Sequence, residues 1–260
     1  MSLRGFLIDL DGVIYTGGVQ VPGAMETISW LRHEGYPFRF ISNTTRRSRK
    51  SISLRLSAMN LDIPSEIIFT PAAAAAALVR QRGGSRISLL STGDVHHDFE
   101  EAGLQQSLHD AEVVIVGDAG DNFTYQAMNR AFRLILEDVP FMALERDRYW
   151  MDEGGLSLSA GPFVAALEYA TGRSAELVGK PSGSFFRMAL DSMGLSPGEC
   201  AMIGDDAVSD VQGAMDSGMA GFLVKTGKFR PEAPPLIARP PTAVLSSIAA
   251  LPDYLQKSSQ

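Results

Sequence analysis

The sequence has a single cysteine, Cys200, in 260 residues, which rules out an intrachain disulfide. With no disulfide framework to read, a reducing, cytoplasmic setting is the simpler expectation. Cys200 sits in the apolar run Cys200-Ala201-Met202-Ile203 and reads as a buried structural residue. Long hydrophobic runs are also missing: no window could span a bilayer, so a membrane partner is not expected. At the amino terminus, Phe6-Leu7-Ile8 is followed at once by acids, unlike a secretory leader. Nor is there an excess of basic charge. The 23 lysines and arginines stand against 30 aspartates and glutamates, a formal net charge of -7. Such a surface repels nucleic acid, and a small anionic substrate would need a local positive pocket.

What is present is an ordinary globular composition, 45% hydrophobic and 20% charged, in a chain long enough for one large domain or two unequal ones. Short apolar runs alternate with helix-period segments, which predicts an α/β fold with largely parallel sheet. Strands are expected at 5–9, 38–42, 87–90, 113–116, 141–144, 177–178, 201–203 and 221–224. Helices are expected at about 23–34, 49–59, 71–83, 123–136, 162–170, 184–192 and 207–216. The alanine run from Ala72 to Ala77 needs no function, because alanine is the best helix former. The proline-rich stretch 228–241 reads as loop, with a short helix near 246–251. The expected organisation is a doubly wound, Rossmann-like parallel-sheet core (1–72 and 176–260) carrying an inserted α/β cap domain (73–175).

Four apolar runs each end in a polar residue of a specific kind. Phe6-Leu7-Ile8 leads into Asp9-Leu10-Asp11-Gly12, and Phe38-Arg39-Phe40-Ile41 into Ser42-Asn43. Leu177-Val178-Gly179 leads into Lys180-Pro181, and Met202-Ile203-Gly204 into Asp205-Asp206, with Asp210 one turn on. Ligands of open parallel sheets bind beyond the carboxyl ends of strands, so these groups can converge on one crevice. Taken singly, each is ordinary: Asp-x-Asp-Gly is a common turn, and Gly-Lys-Pro fails the phosphate-loop pattern. Their joint occurrence, in order, is the signal.

The residue types match attack of a carboxylate on a phosphate ester, where charge repulsion calls for a divalent cation and a fixed ammonium. Asp9 and Asp205 are the natural carboxylate ligands for magnesium, and the Asp11 region can add a backbone carbonyl. Asp9 serves as nucleophile, forming an aspartyl-phosphate. Asp11 protonates the leaving oxygen and then deprotonates the attacking water. Ser42 and Asn43 face the phosphoryl group, which Lys180 neutralises. Two other readings are phosphoryl transfer to an acceptor other than water and a phospholigand-binding protein without turnover. The intact Asp9, Asp11, Lys180 and Asp205 argue against the last.

With these four motifs, Asp9-Leu10-Asp11-Gly12-Val13, Ser42, Lys180-Pro181 and Gly204-Asp205-Asp206 through Asp210, the chain resembles the haloacid dehalogenase superfamily of phosphatases. The wide gap between the second and third motifs is similar to the subclass with a large α/β cap inserted there (type IIA). The resemblance implies a Rossmann-like core, Mg2+, and a small phosphorylated substrate, with phosphoramidates or pyrophosphate within range. It also implies Asp210, grouped with Asp206, orienting metal-bound water behind the metal ligands Asp9, Asp11 and Asp205. Pairing of caps into a homodimer is implied as well. Many capped relatives carry Asn-x-Asp in the cap loop where this chain has Glu145-Arg146-Asp147, so these three are the expected cap specificity residues.

Several other residues attract attention. Arg46, Arg47, Arg49 and Lys50 could concentrate phosphate, but a solvated helix start accounts for them. His96-His97-Asp98 suggests metal ligands, yet adjacent side chains on an extended segment diverge, so a surface loop is expected. Tyr149 and Trp150, near Gly154 and Gly155, are expected on a substrate-facing cap loop.

Overall fold

The computed structural model describes residues 3–152, 154–229 and 238–258. The chain divides into two compact units, one drawn from Met1–Ser42, Ser53–Phe69 and Lys180–Gln260, the other from Asn43–Ile52 and Thr70–Gly179.

The chain begins with β1 (Gly5–Asp9), followed by a small hairpin of β2 (Tyr15–Thr16) and β3 (Val19–Gln20). Helix α1 (Ala24–His33) buries Ala24, Thr27, Ile28 and Leu31 on one face. Glu26 in its first turn and Arg32 and His33 in its last complement the helix dipole. Strand β4 (Phe38–Ile41), helix α2 (Arg49–Ala58) and strand β5 (Ile68–Phe69) follow.

Helix α3 (Pro71–Gln81) opens with Thr70, whose hydroxyl accepts from the Ala73 N–H at 3.2 Å, and with proline in the first turn. Ala72, Ala74, Ala75 and Ala76 are buried, so the alanine run is a packing surface. Next come β6 (Arg86–Leu90), α4 (His96–Glu101), β7 (Gln105–Gln106) and β8 (Val113–Val116). Helix α5 (Tyr125–Leu136), capped by the Thr124 hydroxyl, leads to β9 (Phe141–Ala143). An antiparallel pair, β10 (Tyr149–Asp152) and β11 (Gly155–Leu158), precedes α6 (Ala160–Thr171) and β12 (Glu176–Leu177). The chain ends through α7 (Gly183–Asp191), β13 (Cys200–Gly204), α8 (Gly213–Asp216), β14 (Ala220–Val224), β15 (Ala243–Leu245) and α9 (Leu251–Ser258).

The first unit is built on a six-stranded parallel sheet in the order β15-β14-β13-β1-β4-β5. Every residue of β1, β13 and β14 is buried, as expected of a parallel sheet covered on both faces. From β1 the chain winds outward through β4 and β5, then returns to wind the other way from β13. The strand order therefore reverses between β1 and β13, the switch point at which such sheets open a crevice. The second unit has a five-stranded parallel sheet, β12-β9-β8-β6-β7. Its core gathers Val114, Val116, Leu134, Ile135, Phe141 and Val164, among others.

The fold is the expected doubly wound α/β core with an inserted α/β unit, and several local expectations are corrected. The strand expected in the core at 177–178 is β12 (Glu176–Leu177), which pairs with β9 in the second sheet, and Asn43–Ile52 also groups with the second unit. His96 and His97 start a helix rather than lie in a loop, and Tyr149 and Trp150 stand on a strand. The proline-rich stretch expected as loop falls partly at 230–237, outside the described residues. Beyond it, β15 pairs with β14, a three-residue strand too short to give a periodic signal.

Candidate active site

The switch point of the first sheet carries the predicted acids. Register aligns Asp9 with Ile41 on one side and Ile8 with Ile203 on the other, so Asp9, Ser42 and Asp205 all emerge at the same sheet end. The Ser42 N–H donates to the Phe69 carbonyl at 3.1 Å, tying the end of β4 to β5. Asp9, Asp205 and Asp210 are all buried, and each offers an oxygen within 4.8 Å of the others. Among the described residues Asp11 is exposed, and its carboxylate stands outside this cluster. Asn43 falls in the second unit, where its Oδ1 would meet a Cβ on Gly179 at 2.7 Å.

Lys180 is the first residue of the chain's return into this unit, and it is buried among the acids. Its Nζ stands 2.7 Å from Asp9 Oδ1 and 2.7 Å from Asp210 Oδ1. Burial alone would favour the neutral amine, yet Asp210 and Asp9 hold Lys180 charged, above the usual lysine range. Burial raises Asp9 above the ordinary carboxylate value, and Lys180 pulls the other way. Burial likewise pushes Asp205 up to about 6 and Asp210 up to about 7.

The two neighbouring acids after β13 have separate duties. Asp205 points into the cluster, while Asp206 caps the helix that follows. Asp206 Oδ1 accepts from Val208 N at 3.0 Å and Ser209 N at 2.9 Å. That helix, Ala207–Gln212, is wound as a π-helix, a geometry concentrated at functional sites. It brings Asp210 back against β13, where a Cβ on Gly204 would stand 2.3 Å from the Asp210 Cβ. Gly204 is thus required by the close approach of a charged side chain, and the Asp206 N–H donates to Asp210 Oδ2 at 3.2 Å.

Three residues outside the four motifs join the site: Thr226, Gly227 and Lys228. The Lys228 N–H donates to Asp205 Oδ2 at 2.7 Å, and its Nζ pairs with Asp206 at 3.2 Å. The Thr226 hydroxyl donates to the Gly12 carbonyl. Their signal in the sequence is the same one used for the others, an apolar run (Gly221–Val224) ending in polar residues beside a site-bearing strand.

The donor set suits a hard divalent cation. It is all carboxylate oxygen, without sulfur or imidazole. Among the described residues, Asp9, Asp205, Asp206 and Asp210 meet two ammonium groups, those of Lys180 and Lys228, so when all are ionised negative charge is in excess by two. Burial is the main cause that raises Asp205 and Asp210, and neighbouring carboxylates add to it.

In the second unit the expected cap residues are placed as follows. Glu145 is buried, and its Oε1 accepts from the Ser159 hydroxyl at 2.6 Å and the Ala160 N–H at 2.9 Å, while Oε2 accepts from the Asp147 N–H. Its carboxylate is occupied in holding its own loop to the start of α6. Arg146 pairs with Glu168, and Asp147 is exposed. The second sheet has a switch point of its own between β6 and β8, and the chain itself fills it. Asp118 N–H donates to the Thr45 hydroxyl at 2.9 Å, and the Asp118 carboxylate holds Arg46 Nε at 2.8 Å. Arg49 pairs with the buried Asp98. Two of the four clustered cations are therefore neutralised locally.

Among the described residues, no helix is long and apolar enough to cross a membrane. Cys200 is buried, and burial pushes its thiol up to about 12, so it is inert at neutral pH.

Comparison with known proteins agrees with this geometry. Residues 6–105 match the family model described as haloacid dehalogenase-like hydrolase, and residues 177–251 match one described as HAD-hydrolase-like. The chain is 41% identical over 254 residues to haloacid dehalogenase-like hydrolase domain-containing protein 2 of Homo sapiens, covering 98% of this chain and 96% of the relative. It is 39% identical over 236 residues to the phospholysine phosphohistidine inorganic pyrophosphate phosphatase of Bos taurus, covering 88% and 86%. Among solved structures, the 4-nitrophenylphosphatase of Thermotoga maritima superposes with a TM-score of 0.90 at 26% identity, covering 98% of each chain. The p-nitrophenyl phosphatase of Archaeoglobus fulgidus gives a TM-score of 0.90 at 28% identity, covering 99% of this chain and 100% of that one. The chain belongs to the haloacid dehalogenase-like hydrolases and is an enzyme of their phosphatase type.

Proposed function

We propose that this phosphatase hydrolyses small phosphate monoesters with Mg2+ as its cofactor and Asp9 as its nucleophile. The observation that carries the reading is the buried Asp9–Lys180 pair, at 2.7 Å, beside Asp205 at the sheet's switch point. Burial raises Asp9, and Lys180 offsets part of that cost, which favours the ionised form a nucleophilic carboxylate needs. An Asp9 oxygen attacks phosphorus, the bond from phosphorus to the leaving oxygen breaks, and Asp11 supplies the proton that oxygen takes up. Asp11, exposed beside the buried nucleophile, then removes a proton from water. That water attacks phosphorus, the aspartyl-phosphate bond breaks, and phosphate leaves with Asp9 regenerated. Ser42 and Asn43 contact the phosphoryl oxygens, and Lys180 offsets their charge. Asp9 and Asp205, with the Asp11 carbonyl, would hold the magnesium, which supplies charge neutralisation between nucleophile and phosphate. Asp210 holds Lys180 and would orient water on the cation, while Asp206 caps the helix that carries Asp210.

Phosphoramidates and pyrophosphate belong in the substrate range, by analogy with the name of the bovine relative. A cytoplasmic setting and a homodimer complete the reading. They rest on the single buried cysteine and on the family resemblance respectively.

The test is phosphate release from p-nitrophenyl phosphate, phosphohistidine, phospholysine and pyrophosphate, with and without Mg2+. Asp9→Asn is the decisive variant, paired with mass spectrometry of acid-quenched parent enzyme for phosphate on Asp9. Full turnover by a folded Asp9→Asn protein would reject the nucleophile assignment. Transphosphorylated product in excess of free phosphate would favour the transferase reading.

A further inference from the structure

Asp205 is held by more than its place at the end of β13. Gly12, at φ 80°, and Gly227, at φ 63°, press their backbones against its carboxylate. A Cβ on Gly12 would stand 2.0 Å from Asp205 Oδ2, and one on Gly227 would stand 2.1 Å from the same atom. The Gly227 Cβ would also stand 2.6 Å from the Gly12 α-carbon, so the two backbones form one slot. Only glycine fits either wall, because positive φ and the missing side chain are both needed. The Lys228 N–H then donates to Oδ2 at 2.7 Å, and the Thr226 hydroxyl fastens the Gly12 wall through its carbonyl. Two consecutive residues, Gly227 and Lys228, remote in sequence from Asp205, converge on one of its two oxygens, and Thr226 beside them holds the Gly12 wall.

We propose that the Thr226-Gly227-Lys228 turn makes Asp205 a one-oxygen ligand and thereby sets the preference of the site for a small octahedral cation over calcium. The inference rests on the reading of the site as a magnesium centre. Oδ2 is walled by two glycine backbones and spent on an N–H, so Oδ1 is the oxygen left to face the cation. Calcium takes six to eight oxygens in flexible geometry and readily accepts both oxygens of a carboxylate, whereas magnesium demands a near-ideal octahedron of single oxygens. A carboxylate held in one rotamer with one oxygen presented penalises the first and suits the second. It also spends little freedom on binding, which favours affinity.

The turn separates position from charge, because Lys228 contributes both a backbone N–H and an ammonium. Gly227→Ala forces Asp205 or the turn aside. Thr226→Val removes the hydroxyl that fastens Gly12 with little change in volume. Lys228→Ala keeps the N–H to Oδ2 and removes only the ammonium. Binding is read without substrate, as the loss of the free Mn2+ signal in electron paramagnetic resonance, with Mg2+ and Ca2+ as competitors.

In Gly227→Ala, Mg2+ is expected to bind about tenfold more weakly and Ca2+ to change less, so the Mg2+-to-Ca2+ affinity ratio falls at least fivefold. Thr226→Val should lower the ratio severalfold. Lys228→Ala should tighten both cations alike and leave the ratio unchanged. Because the readout is a ratio, general loss of stability does not mimic it, and Thr226→Val carries the test should Gly227→Ala fail to fold. A ratio within twofold of the parent in both Gly227→Ala and Thr226→Val overturns the inference while leaving the magnesium reading intact. A parent protein that binds no Mn2+ at all overturns that reading, and this inference with it.

Discussion

Lys180 Nζ stands 2.7 Å from Asp9 Oδ1, although 171 residues separate them in the chain. The ammonium is shared with Asp210 at the same distance, so one buried cation holds two buried carboxylates. Breaking such a pair from one side leaves a buried charge without a partner, which costs far more than the pair itself is worth.

Lys180→Met should therefore lose both activity and stability. The expected destabilisation is about 3–5 kcal/mol. Denaturant titration of the parent and variant checks it, and a change below 1 kcal/mol (roughly a surface ion pair's worth) would contradict the buried-pair account.

Asp206→Ala tests the division of labour between adjacent acids. Loss of an N-cap that serves two N–H groups should cost about 1 kcal/mol. Asp205→Ala, in contrast, should abolish high-affinity cation binding. If calorimetry found the two variants equally impaired in cation binding, the assignment of Asp206 as a cap would fail.

Metal removal should make stability depend on pH in an unusual direction. Burial raises Asp205 to about 6 and Asp210 to about 7, from an ordinary 3.8. Between these values the folded chain holds protons that the unfolded chain has lost. Stability of the metal-free protein is then fully present below about pH 4 for these groups and falls as pH rises toward 7. Cation binding displaces the same protons, so apparent Mg2+ affinity should climb from pH 5.5 to pH 8. Urea midpoints at pH 5 and pH 8, with chelator or with Mg2+, check both statements. The fall should appear only with chelator.

Glu145→Ala should destabilise the second unit by about 1–3 kcal/mol, because the Ala160 N–H and the Ser159 hydroxyl lose a buried acceptor. Hydrogen exchange at Ala160 and Gly161 should speed up while exchange in β13 does not. Unchanged protection there would show that the carboxylate does not hold the loop.

Much of the first unit is legible in the sequence because its strands are buried on both faces and read as unbroken apolar runs, each ending at a polar group. Asp9, Ser42 and Asp205 stand out in this way, and the register of β1 against β4 and β13 brings them to one sheet end. The same rule misplaced Leu177, since an apolar run does not reveal which sheet it joins. It left β10 and β11 unread, because Tyr149, Met151, Leu156 and Leu158 are exposed and their alternation is too short to register. Glu145 stands out in the sequence only through the family resemblance of its loop, and its burial becomes visible only with Ser159 and Ala160 packed around it.

From the sequence alone came the local quantities: which runs are apolar, where helices begin, which acids and which lysine follow strands, and hence the α/β architecture and the phosphoryl chemistry. Tertiary structure decided which of two adjacent aspartates enters the cluster, that Asp210 returns to Lys180 through a π-helix, and that Gly12 and Gly227 close around Asp205. The reason is physical. Propensity and strand ends depend on neighbours along the chain, whereas a carboxylate's charge state and the oxygen it presents depend on groups that only folding brings within hydrogen-bond reach.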